Sequence, residues 1–80
     1  MGYYEEVKQA NKFIDDEIEL RVVRKDEKIL LASFKLLVTS EYAISSLAFE
    51  KRIKLHVSVG KVKVNNNGFI VRGKLFENDE

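Results

Sequence analysis

Asn65-Asn66-Asn67-Gly68 constrains the fold of this 80-residue chain more than any other stretch. Asn-Gly is the strongest short hairpin signal, because a tight reversing turn needs left-handed backbone that Gly adopts freely and Asn tolerates. Ahead of it Val62 and Val64 alternate with Lys61 and Lys63, and behind it runs Phe69-Ile70-Val71-Arg72. The alternation reaches further back, with Ile53, Leu55, Val57 and Val59 set against Lys54, His56 and Ser58. Its phase flips at Gly60-Lys61, as it does where a β-bulge inserts one extra residue. Residues 51–74 therefore read as a β-hairpin. With Asn67-Gly68 as a two-residue turn, Val64 faces Val71, Lys63 faces Arg72 and Lys61 faces Lys74.

The same stretch carries Lys51, Arg52, Lys54, Lys61, Lys63, Arg72 and Lys74 and no acidic residue, a net of +7 in a chain whose net charge is +1. The first 20 residues hold six acids against Lys8 and Lys12, a net of −4. Like charges opposed across two strands destabilise a hairpin. The expected pairs therefore need an offset: a solvated splay, an acidic patch elsewhere in the fold, or an anionic partner. A four-residue loop would shift the pairs and soften the conflict. Lys54, His56, Lys61, Lys63, Arg72 and Lys74 are the candidate partner-binding residues, with Phe69 and Phe76 near the two ends of their face. The plain alternative is that both charge runs are solvated faces.

Elsewhere the periodicity changes. Tyr3, Val7, Ala10 and Ile14 recur at helical spacing, so residues 3–14 read as an amphipathic helix that stops at Asp15-Asp16. Glu5 and Glu6 fall in its first turn, where carboxylates suit the helix dipole. Residues 17–24 alternate Ile18, Leu20 and Val22 with Glu17, Glu19 and Arg21 and read as a half-buried strand. Lys25-Asp26-Glu27 then turns the chain into a second strand over residues 28–38, apolar on both sides and suited to the middle of a sheet or to a subunit neighbour. That register sets Val22 across from Leu30, Ile18 across from Phe34 and Glu17 across from Lys35. Residues 39–50 read as a helix capped by Thr39 or Ser40, with a bent strand as the competitor.

The architecture expected is α+β: an N-terminal helix, an antiparallel sheet of two hairpins, and a middle helix. The alternative is a five-stranded small β-barrel plus the N-terminal helix. Residues 1–76 are expected to form a single domain, with 77–80 a frayed acidic tail.

One His and no Cys leave no zinc site and no disulfide. Asp15, Asp16, Glu17 and Glu19 lack the spacing and the glycine of a calcium loop. The four glycines are dispersed, so no phosphate-cradling loop is present. Nothing in the sequence sets His56 beside a nucleophile and an orienting third group. Neither catalysis nor a metal or cofactor is expected. No apolar run approaches the ~20 residues that span a bilayer, and the start has no leader-peptide pattern, so a soluble cytoplasmic protein is expected. The function expected is that of a non-catalytic binding or assembly module acting through protein–protein contacts, self-associating as a homo-oligomer. The alternative is sequence-tolerant nucleic-acid binding through the basic hairpin, whose cations would neutralise phosphates.

Overall fold

Ala10, Ile14, Ile18 and Val22 stand at every fourth position, and all four are fully buried. That stripe carries one helical rod, not a helix followed by a strand. In the computed structural model, which describes the backbone of residues 2–76 and the side chains of residues 5–76, α1 spans Gly2–Glu17 and runs directly into a π-helical segment, Ile18–Arg24. The expected strand at 17–24 is thus corrected. Its alternation misleads because Leu20 faces solvent at 43% exposure while Ile18 and Val22 face the core. The rod ends where Asp26 takes a left-handed backbone, φ 56, which a short polar side chain tolerates. Lys25-Asp26-Glu27 does turn the chain, but out of a helix.

Only Ile29–Leu30 of the expected second strand is extended, as β1; α2 follows over Leu31–Glu41. An apolar run on both sides suits a buried helix as well as a strand when judged by periodicity alone. Burial of Phe34 and Val38 with Leu36 between them 68% exposed decides for the helix, since a strand would put all three on one face. The Leu31 N–H at its start donates to the Gly68 carbonyl at 2.9 Å, so the distant hairpin caps α2.

A turn at residues 42–45 leads into α3, Ser46–Ser58. Thr39 and Ser40, the expected caps, lie inside α2, and the cap is Ser45, whose Oγ accepts from the Ala48 N–H at 3.1 Å. Such a cap contributes about 1 kcal/mol. The expected helix at 39–50 and the expected strand at 53–59 are both replaced. α3 buries Phe49, Ile53 and His56 at spacings of four and three, which outweighs the alternation of its β-branched residues. It stops at Gly60, φ 82. There the Lys61 N–H donates to the His56 carbonyl and the Gly60 N–H to the Val57 carbonyl, both at 3.0 Å. This is the Schellman ending of a helix, so Gly60 is a C-terminal cap and not a bulge.

The hairpin comprises β2, Val62–Val64, and β3, Phe69–Arg72. Its register pairs Val62 with Arg72, Lys63 with Val71 and Val64 with Ile70, one residue away from the expected pairs. The turn is four residues long: the Gly68 N–H returns to the Asn65 carbonyl at 3.0 Å, with Gly68 at φ 82. The Asn65 side chain holds the turn by accepting from the Asn67 and Phe69 N–H groups, each at 3.0 Å. β1 pairs antiparallel with β3, Ile29 against Ile70, which gives the sheet order β1-β3-β2.

The fold is α+β, with three α-helices and a three-stranded antiparallel sheet among the described residues. A hairpin over 17–38 and a closed five-stranded barrel do not form. Phe49 meets Phe34 edge-on at 5.5 Å in the core, and Phe13 bridges Phe34 and Tyr42 at 6.2 and 5.8 Å. No helix among the described residues is long and apolar enough to cross a membrane. The expected frayed tail and the Tyr3 side chain lie outside the described residues.

Candidate functional site

Two helices joined by a short turn, α2 and α3, are followed at once by the β2–β3 hairpin, and β2 packs on α3. The turn is anchored by Ile44, which is buried between the helices' ends. The basic stretch 51–74 therefore does not lie on one ribbon. It is divided between a helix and a hairpin, and the acidic rod of α1 and its π-helical continuation sorts it into two sets.

One set turns inward. The Asp15 carboxylate accepts from His56 Nε2 at 2.7 Å and from the Arg52 guanidinium at 3.0 and 2.6 Å. Partial burial alone would raise the Asp15 pKa, but the hydrogen bonds from Arg52 and His56 outweigh it and hold the carboxyl below its ordinary value. His56 is 7% exposed and ties α3 to α1. Lys61 Nζ stands 3.6 Å from the Glu19 carboxylate. The Arg72 guanidinium donates to the Val23 carbonyl, with Nε at 3.1 Å, and lies 3.6 Å from Asp26. Arg72 shares its face of the sheet with the buried Ile70, while Lys63, across from Val71, takes the other face. The one-residue register shift thus separates the cations that a two-residue turn would have opposed.

The other set turns outward. Leu47, Lys51, Lys54, Leu55 and Ser58 form a helical stripe of solvent-facing side chains along α3. Lys51, Lys54 and Lys74 make no ion pair among the described residues. The only carboxylate on α3, Glu50, is bonded to Lys35 of α2 at 2.8 Å. That ammonium, with Lys54 adding a smaller effect, holds the Glu50 carboxyl below its ordinary value. Between α3 and the hairpin lie two cavities that share Val57. One, of about 270 Å³, is lined by Leu31, Glu50, Ile53, Lys54 and Val64. The other, of about 430 Å³, is lined by Ser58, Gly60, Val62, Lys63 and Lys74.

Of the six residues singled out from the sequence, Lys54, Lys63 and Lys74 are exposed around this α3–hairpin surface. His56, Lys61 and Arg72 are not on it; they are engaged with Asp15, Glu19 and Val23, and their placement on an outer face is corrected. Lys51 belongs with the outward set and Asp15 with the inward one. Both were legible only from helical spacing: once residues 46–58 are a helix, Arg52 and His56 are one turn apart and meet a single acid. Among the described residues no three His, Asp or Glu side chains gather as a metal site. Comparisons with protein-family models, with curated protein sequences and with solved structures find no match to this chain.

Proposed function

We propose that this chain is a non-catalytic, sequence-tolerant nucleic-acid-binding module that lays α3 into the major groove of duplex DNA, with the β2–β3 hairpin against the neighbouring backbone. The observation that carries the reading is the succession of α2, a turn at 42–45, α3 and a hairpin. That is the order of a helix-turn-helix with a wing, in which the second helix contacts base edges and the first crosses the backbone. The chemistry of the surface adds to it: residues 51–76 carry no acid, Glu50 is neutralised by Lys35, and Lys51, Lys54 and Lys74 point to solvent. Base reading would be slight. Leu47 and Leu55 offer a groove only apolar contact, such as that with a thymine methyl, so affinity rests on phosphates.

Fluorescence anisotropy with a duplex and a single strand of the same sequence tests this. Duplex binding should weaken steeply with salt, with log K against log salt sloping at about −3 for the three outward lysines. Lys54→Ala should reduce that slope by about 1, and scrambling the duplex sequence should change little. Absence of binding to either oligonucleotide at low salt would dispose of the proposal, and preference for the single strand would remove α3 from the groove. A second reading, assembly through protein contacts, is favoured by one observation: Leu36, Leu47 and Leu75 are 68, 63 and 64% exposed.

A further inference from the structure

We infer that the outer face of α2 is a homodimer interface, on which a second copy of this chain packs antiparallel through Leu36 and Leu37. α2 carries apolar residues on its outward side as well as toward the core, with Ser33 and Ser40 beside them. Leu31, Phe34 and Val38 face the core or pack against it, while Ala32, Leu36 and Leu37 face outward, Leu36 at 68% and Leu37 at 48% exposure. Large apolar side chains grouped on a helix face are ordinarily covered; within one copy Leu36 and Leu37 are left exposed. Its only charged residues are Lys35, which reaches across to Glu50, and Glu41 at the C-terminal end.

Charge placement selects a second copy as the occupant. Leu36 is the midpoint of Leu31–Glu41. A two-fold axis there runs the two helices antiparallel and carries Glu41 of each copy to the N-terminal end of the other's α2. At that end Lys28 makes no ion pair among the described residues, Arg21 beside it being held by Glu17 and Glu27 at 3.7 and 3.2 Å, and both line a cavity of about 190 Å³ together with Leu30, Ser33 and Leu37. Glu41 makes no ion pair among the described residues, and the Lys28 ammonium rests over the Phe69 ring at 4.4 Å, with no carboxylate bound to it. The face is thus self-complementary, apolar at its centre and opposite in charge at its ends, as a two-fold interface must be. It is also small, so the dimer is weak and half-dissociates at roughly tens of micromolar. The interface uses neither Lys51 nor Lys54 and stands or falls independently of nucleic-acid binding.

Sedimentation velocity on the full chain, without nucleic acid, from ~1 to ~300 µM tests the inference. The wild type should pass from monomer to dimer across that range. L36E/L37E should remain monomeric throughout while keeping its circular dichroism spectrum and melting temperature, both residues being exposed. Glu41→Lys should weaken the dimer several-fold, and Glu41→Lys combined with Lys28→Glu should restore it. A wild type monomeric at the highest concentration overturns the inference. So does a dimer that L36E/L37E leaves intact, and so does a charge swap without restoration, which removes the antiparallel arrangement.

Discussion

Two groups of cations in one stretch of sequence have opposite fates. Arg52, His56, Lys61 and Arg72 are drawn toward the α1 rod and its continuation, where Asp15, Glu19, Asp26 and the Val23 carbonyl receive them. Lys51, Lys54 and Lys74 are left in solvent. The polarity of the sequence, acidic at the start and basic toward the end, is in large part an internal complementarity. Only the remainder is available to an anionic partner. A net charge counted along a segment therefore overstates the field it presents, because the count ignores which charges the fold has already matched.

The sharpest way to break the inward set is to remove its shared acceptor. Asp15→Ala leaves the buried His56 and the half-buried Arg52 without their partner, and should cost about 2–3 kcal/mol. For a domain of this size that lowers the melting temperature by roughly 10 °C or more. The effect carries a pH signature. The folded-state pKa of Asp15 lies below its unfolded value, so its stabilisation is complete above the unfolded carboxyl range near pH 4 and disappears as pH falls through the folded value. The stability gap between wild type and Asp15→Asn should narrow as the pH falls below about 4. A gap that fails to narrow as the pH falls below about 4 would mean that the Asp15 carboxylate is not the group responsible.

Arg72→Met tests a smaller tie. Loss of the guanidinium's hydrogen bonds to the Val23 carbonyl should cost about 1–2 kcal/mol in denaturant unfolding. Arg72→Lys should recover little, because a single ammonium cannot reproduce the two-pronged donation. Full recovery would show that the charge beside Asp26 matters and the geometry does not. The outward set should behave oppositely. Lys51→Ala and Lys54→Ala together should change stability by less than about 0.5 kcal/mol, yet lower duplex affinity several-fold. A large loss of stability in that pair would erase the distinction between the two sets.

The sequence by itself determined the punctuation. Asn65 to Gly68 turns a hairpin, Lys25-Asp26-Glu27 reverses the chain and Gly60 interrupts it, because these positions depend on backbone conformations that few side chains accept. It also carried the α+β class. Tertiary structure decided what lies between the punctuation marks. Residues 18–24 and 53–59 alternate at period two and 31–38 are apolar on both sides, but the difference between helix and strand propensity there is under ~1 kcal/mol per residue. Burying one large apolar side chain stabilises by ~1.5–3 kcal/mol. Ile18 with Val22, Phe34 with Val38, and Phe49 with Ile53 reach the core while Leu20, Leu36 and Lys51 between them stay in solvent, which a helix allows and one strand face does not. That packing moved Lys54 and His56 from one strand face to different sides of a helix, and the Asn65 turn moved Lys63 and Arg72 to opposite faces of the sheet. Which cations remain for a partner follows from those two displacements, since each depends on contacts between residues far apart in the chain.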